Sequence, residues 1–270
     1  MATQFVNNSG GKLAYTRTGS GPLVISIPSM GDVRAEYRYL APIMVAAGYQ
    51  VVSMDLRGHG ESSVHWPDHS VEAIGEDLLA LAHALNAGPA IIIGDSIAAG
   101  AAIWAAVEDP QMVKAMVLLG PAVRGEISGL FRLFLSVLFA RPWGPSAWIT
   151  FFNTLFPTRK PADFAEYTKA LKRNLSEPGR LEALHKMMLA SKKASEERVN
   201  QVTVPTLVIM GTKDPDFKDP AQEAGWLAGE LNGSLEMIEG AGHYPHVDTP
   251  QITGTLITEF LNTLEREVEN

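Results

Sequence analysis

The sequence predicts an α/β fold built on a mostly parallel sheet, and three observations carry that prediction. Short apolar runs at residues 23–27, 51–54, 91–93, 115–119 and 206–210 alternate with segments of helical periodicity ten to fifteen residues long. The run at 23–27 (Leu-Val-Ile-Ser-Ile) looks buried on both faces, which calls for helices on both sides of the sheet. The runs stop at loops that hold Gly, Ser, Asp or His, and sheets of this kind bind ligands at the carboxyl ends of their strands.

In chain order, residues 4–7 and 12–18 predict a hairpin around Ser9-Gly10-Gly11, and 23–27 the first buried strand. A helical pattern follows over 36–47, stopped by Gly48, and then the strand 51–54. Ser70 is the expected N-cap of a helix over 71–86. The run at 91–93 leads into Gly94-Asp95-Ser96-Ile97-Ala98, then a helix to about Glu108 and the strand 115–119. From 122 to 201 the strand signal disappears, and aromatic-rich helices broken near Pro142, Pro145, Pro157 and Pro161 take its place. Most of these aromatic side chains are expected to form a second small core. Strands resume at 206–210 and 234–238, and Thr249 as N-cap with Pro250 at the first helical position opens a terminal helix to about Val268.

Bulk properties bound the function. A chain of 270 residues, 46% hydrophobic and 19% charged, can hold a sizeable core. The absence of cysteine excludes disulfides, thiolate metal sites and a cysteine nucleophile, and fits a reducing cytoplasm. No basic and apolar leader precedes the first strand signal, so no signal peptide is expected and a cytoplasmic location is. The longest apolar stretch, 130–140, contains Arg132 and is too short to span a bilayer, so no integral membrane segment is expected. A net charge of −8 argues against a nucleic-acid partner. That charge is uneven: residues 122–201 hold 13 Lys and Arg against 7 Asp and Glu, a net of +6, which leaves −14 for the rest. This basic segment reads first as a solvated helical surface and second as a device for steering anionic ligands.

Three residues carry the chemistry. Ser96 sits where a strand turns into a helix, a place that exposes a hydroxyl on a strained backbone beside free helix N–H groups. A serine needs a base and a carboxylate to orient that base, and Asp214 and His243 each follow a later strand. In a parallel sheet all three loops open on one edge, in the order Ser, Asp, His. The other histidines, His59, His65, His69, His83 and His185, lack ligand spacing, so no metal is expected. No Gly-x-Gly-x-x-Gly follows an early strand, and no cofactor is expected.

With these motifs the chain resembles the α/β-hydrolase superfamily over nearly its whole length. The resemblance rests on Gly94-Asp95-Ser96-Ile97-Ala98, on Asp55-Leu56-Arg57-Gly58-His59-Gly60-Glu61-Ser62, on Gly211-Thr212-Lys213-Asp214 and on Gly240-Ala241-Gly242-His243. It implies an α/β-hydrolase fold with an eight-stranded, mostly parallel sheet, a core domain of residues 1–121 and 202–270, and a helical cap of residues 122–201 between the sixth and seventh strands. It implies Ser96 as nucleophile, His243 as general base and acid, and Asp214 as orienting carboxylate. Asp216 competes for that last role, but the Gly211-x-x-Asp spacing favours Asp214; His246 is expected to pack behind the loop. The stretch from Asp55 to Ser62 is expected to shape a loop and carry no catalysis.

Departures from the pattern fall at Ala98, where glycine is commoner, at Asp95, where histidine is common, and at Pro28-Ser29, where His-Gly is usual. Asp95 is expected to hydrogen-bond neighbouring loops. By position the oxyanion hole falls to the backbone N–H groups of Met30 and Ile97. Ser29, Phe131, Phe134, Trp143 and Trp148 are expected at the substrate, with the Ser29 hydroxyl more a turn cap than an added donor. These residues point to a serine hydrolase for small to medium hydrophobic carboxylic esters, the aromatic cap suiting an apolar group. Lactone, amide, thioester and carbon–carbon bond hydrolysis and cofactor-free perhydrolysis use the same residues. A ligand receptor or interaction protein with a vestigial triad is the alternative of another class.

Overall fold

The computed structural model describes residues 2–8, 10–125 and 128–269, apart from the side chains of Phe131 and of residues 267–269. Eight strands form one sheet: β1 Gln4–Asn8, β2 Gly11–Thr18, β3 Leu23–Ile27, β4 Gln50–Met54, β5 Ala90–Asp95, β6 Val113–Leu119, β7 Thr206–Gly211 and β8 Ser234–Ile238. Their order is β1-β2-β4-β3-β5-β6-β7-β8. Only the β1–β2 and β2–β4 pairs are antiparallel, so the predicted hairpin forms one edge and the strands β3 to β8 run parallel to one another.

Strand alternation sends side chains to two cores. Ile25, Ile27, Val52 and Ile92 pack on one face beneath helices α2 (Val71–Leu85) and α3 (Ile97–Glu108). Val24, Val51, Ile91, Ile93 and Val117 pack on the other face, against α1 (Leu40–Ala46) and the terminal helix, whose contacts include Ile257 and Leu261. The helix expected over 36–47 is divided into a 3₁₀ turn, Arg34–Arg38, and α1. Pro42 explains the division: without an N–H it is tolerated in the first turn of a helix and not in its interior.

Between β6 and β7 lie α4 (Gly129–Leu138), α5 (Gly144–Thr154), α6 (Phe164–Ser176), α7 (Arg180–Leu189) and the short α8 (Lys193–Glu196). Their aromatic side chains do form small cores. One gathers Leu135, Phe139, Trp148 and Leu184 and reaches Met30 in the loop after β3. The other gathers Phe152, Phe156 and Phe164 with Tyr244 and Val247 from the segment after β8. Both cores therefore tie the inserted helices to the loops at the carboxyl ends of the strands.

Helices α9 (Pro220–Glu230), α10 (Pro245–Asp248) and α11 (Pro250–Glu269) complete the chain. The expected Thr249 cap is not formed among the described residues; the hydroxyl donates back to the Pro245 carbonyl at 3.0 Å, across the one-turn helix α10 that directly precedes α11.

Candidate active site

Ser96 takes φ 54° and ψ −116°, a backbone setting that side chains rarely adopt, and the surroundings hold it there. Its N–H donates to the Leu119 carbonyl at 2.9 Å, and its own carbonyl accepts from Ala99 and Ala122. The end of β6 thus clamps the turn at the end of β5. Gly120, the next residue, has φ 46°, and a Cβ there would sit 2.7 Å from the His243 carbonyl oxygen and 3.2 Å from His243 Nδ1. Only glycine lets β6 pass so close to the imidazole.

The loops after β7 and β8 meet at that point. His243 Nδ1 lies 2.8 Å from Asp214 Oδ2, with both side chains buried. Asp214 Oδ1 accepts the Asp216 N–H at 3.0 Å, so both carboxylate oxygens are engaged. The Asp216 carboxylate lies on the other side of the ring, its Oδ2 3.6 Å from His243 Nε2. Of the two competing carboxylates, Asp214 holds Nδ1 and Asp216 faces Nε2. Burial pulls the His243 pKa down, but the Asp214 and Asp216 charges and the Asp214 hydrogen bond outweigh it and raise the pKa to about 9. Ser96 and His243 line one cleft, although no hydrogen bond joins their side chains among the described residues. Contacts of this kind often close only when substrate arrives.

The hydrogen bonds of the loop after β3 account for most of its N–H groups. Ser29 N donates to Glu36 Oε2 at 2.8 Å, Gly31 N to His59 Nε2 at 3.1 Å, and Asp32 N to the Ser29 carbonyl at 3.2 Å. Among the described residues the Met30 N–H has no such partner, and neither does the Ile97 N–H at the start of α3. Gly31, with φ 73° and the Trp148 ring where a Cβ would lie, makes the turn that follows Pro28-Ser29. The expected turn cap by the Ser29 hydroxyl is not formed among the described residues; Glu36 and His59 hold the loop instead. His59 is buried, its pKa lowered to about 4 by desolvation. As a neutral ring it donates from Nδ1 to the Arg57 carbonyl at 3.0 Å and accepts at Nε2. The Asp55 to Ser62 stretch shapes a loop as expected, and it also anchors this second one.

A second histidine–carboxylate group lies beneath. His246 Nε2 is 3.0 Å from Glu36 Oε1, the ring stacks on Tyr37, and Nδ1 is 3.9 Å from Asp95 Oδ1. Burial raises the Glu36 pKa to about 8 and lowers that of His246 to about 3. The expectation that Asp95 bonds neighbouring loops is corrected: neither of its oxygens has a hydrogen-bond partner among the described residues, and His246 Nδ1 stands 3.9 Å away, beyond hydrogen-bond reach. Burial, with Glu36 and Asp214 nearby, drives its carboxyl well above the usual range. Two sets place ligand-type atoms within 4.8 Å of one another, Glu36 with Asp95 and His246, and Asp214 with Asp216 and His243. In each, a carboxylate already holds one ring nitrogen.

Above Ser96 the cleft encloses about 470 Å³ and is lined by Ser29, Met30, Phe134, Trp148, Met188 and Tyr244 among others. Ser29, Phe134 and Trp148, three of the residues expected at the substrate, line this cleft. Trp143 does not: it is half exposed ahead of α5, and its Nε1 donates to the Val137 carbonyl, turned back on α4 by the Pro142 to Pro145 break. The Phe131 side chain lies outside the described residues. Sequence reasoning missed Glu36, Gly120, His59 and Tyr244. The Gly58-His59-Gly60 spacing was the one available signal, since it marks a tight backbone excursion around a single side chain.

Known proteins agree with this architecture. An uncharacterized protein of Mycobacterium tuberculosis is 26% identical over 97% of this chain and 82% of its own length. The proline iminopeptidase PfmaB of Pestalotiopsis fici is 25% identical over 91% of this chain and 94% of its own. Among solved structures, a bromoperoxidase from Bacillus anthracis superposes with a TM-score of 0.83 at 18% identity, covering 97% of this chain and all of that one. Residues 21–250 match the model of the serine aminopeptidase S33 family, and the chain belongs to that family of α/β-hydrolases.

Proposed function

We propose that this hydrolase cleaves small to medium hydrophobic carboxylic esters through an acyl-enzyme on Ser96. The observation that carries the reading is the 2.8 Å contact of His243 Nδ1 with the buried Asp214, His243 lining the same cleft as Ser96. Asp214 orients the ring and stabilises the imidazolium, which leaves Nε2 to take the Ser96 proton. Ser96 Oγ attacks the carbonyl carbon, and the oxyanion is received by the N–H groups of Met30 and Ile97. Collapse of the adduct breaks the bond to the alcohol, which leaves with the proton from His243. Water then repeats the sequence on the acyl-enzyme, with His243 taking its proton, and the acid departs from Ser96. The helices of residues 122–201 act as a cap whose Phe134, Trp148 and Met188 receive the apolar group.

A second reading, hydrolysis of an amide at the same serine, is favoured by the family description and by the proline iminopeptidase relative. Turnover of a p-nitrophenyl acyl ester and of an amino-acid p-nitroanilide, by wild type and Ser96→Ala, separates the two. Ester turnover that Ser96→Ala abolishes is expected. Anilide turnover alone selects the second reading, and equal activity or equal inertness of both proteins on both substrates defeats the two together.

A further inference from the structure

A cavity of about 610 Å³ lies where α7 meets the loop between β4 and α2, and it shares no lining residue with the catalytic cleft. The seam beside it is closely joined. Arg180 Nη1 donates to the Ser62 carbonyl at 2.6 Å, and the Asn174 side chain exchanges two hydrogen bonds of 3.1 Å with the Gly60 backbone. Gly179, with φ 82°, lets the helix begin this close to the loop, since a Cβ there would sit 2.2 Å from Val64 Cγ1.

His69 lines this cavity and calls for an occupant. It is 4% exposed, and neither of its ring nitrogens has a hydrogen-bond partner among the described residues. Desolvation and the Lys186 and Arg57 charges lower its pKa to about 4, so at neutral pH the ring holds one N–H donor and one bare acceptor nitrogen. Buried polar atoms are nearly always paired, and an unpaired one marks a place for a ligand or an ordered water.

The rest of the lining says which ligand. Lys186 on α7 brings a positive charge that bears on the His69 ring, and it has no ion pair among the described residues. The charges around it are already engaged. Glu182, the acidic residue of the lining, is held by Arg141 at 3.0 Å. Asp68, beside His69, accepts from the Ser70 N–H and hydroxyl at 2.9 and 2.7 Å. The Arg57 guanidinium is taken up by Asp77 and stacks on Trp66. What remains is one ammonium and one imidazole beside the apolar surface of Val64, Trp66, Pro67 and Ala183, with His65 exposed to solvent. A carboxylate on an apolar body matches both parts: its oxygens accept from Lys186 and His69, and its body covers the apolar side chains.

We propose that this cavity binds a small carboxylate with an apolar body, held by Lys186 and His69, at a site separate from Ser96. No step at Ser96 enters the proposal, so it stands apart from the hydrolase reading.

The test is isothermal titration calorimetry of the whole chain with benzoate, with benzyl alcohol as the uncharged probe and inorganic phosphate as the anion without a carboxylate. Wild type should bind benzoate at one saturable site, at least about tenfold more tightly than either of the others. Lys186→Met should weaken benzoate about tenfold and His69→Phe at least about threefold. Absence of saturable binding would leave water as the partner of His69 and overturns the proposal. So does benzoate binding no tighter than benzyl alcohol or phosphate. An affinity that Lys186→Met leaves unchanged would place the acid elsewhere, the catalytic cleft included, and overturns it as well. Should His69→Phe not fold, the assigned ring ¹⁵N signals of His69 in wild type decide. They should move with benzoate along the calorimetric saturation curve, and signals that stay in place overturn the proposal.

Discussion

His243 and His246 stand three residues apart on one loop, each paired with a carboxylate in a buried setting, and they are driven in opposite directions. The His243 pKa is raised to about 9, whereas that of His246 is lowered to about 3. Both are buried and desolvation lowers both, so the direction of the burial effect does not separate them. Asp214 meets His243 as a hydrogen-bonded carboxylate, and Asp216 adds a second charge from the cleft side. Glu36 meets His246 from a pocket so closed that its own pKa is raised to about 8, so it has little charge to offer at neutral pH. One cluster lies on the cleft, and the proposed function has it carry a proton to the reacting atom. The other is sealed, and its Glu36 holds the Ser29 N–H of the loop that presents Met30.

That contrast breaks most sharply on alanine. His243→Ala should lower kcat by about 10⁴ to 10⁶-fold, as loss of the base in a serine triad does, and leave the urea midpoint near wild type. His246→Ala should do the reverse, costing about 1–3 kcal/mol of stability in urea titrations by leaving Glu36 short of a partner, with a far smaller loss of kcat. Next come the two carboxylates. Asp214→Asn should cost about 10⁴-fold in kcat by imposing the wrong tautomer on His243. Asp216→Asn should act instead on the pH profile. His243 must be neutral to accept a proton, so kcat/KM rises as pH passes through its pKa, and removing the Asp216 charge moves that limb to lower pH. A larger kcat loss from Asp216→Asn than from Asp214→Asn would exchange their roles.

Smaller effects sharpen the contrast. His59→Leu should lower kcat about tenfold with little change in KM. It frees the Gly31 N–H and loosens the adjacent Met30 donor, and a whole donor of this kind is worth about 10²-fold or more. The smallest expected effect is on stability against pH. Glu36 binds its proton in the folded state up to about pH 8, while an ordinary glutamate releases it near 4.5. Its contribution is therefore complete below that lower value and is lost as pH rises toward 8. Glu36→Gln should flatten the fall in Tm across that range, and an unchanged slope would show that Glu36 is ionised throughout.

The order of strands and helices, the Ser96 turn and the placement of Asp214 and His243 were legible in the sequence because each is local: an apolar run, a glycine, then a polar residue. The sealed cluster was not. Glu36 sits inside an ordinary helical pattern, and only the packing of the 3₁₀ turn against the loop after β8 sets it on His246. Gly120 likewise looked like any residue ending a strand, although its lack of a side chain makes room for His243. The Trp143 position failed for a related reason: aromatic content says how much apolar surface the inserted helices hold, and the break between α4 and α5 decides which ring turns outward.

The most direct measurement is the intact mass and peptide map of the protein after reaction with a fluorophosphonate, for wild type and His243→Ala. A single adduct on the Ser96 peptide, formed rapidly in wild type and at most slowly in the variant, is the expected result. No adduct, an adduct elsewhere, or equal labelling of the two proteins would mean that His243 does not activate Ser96.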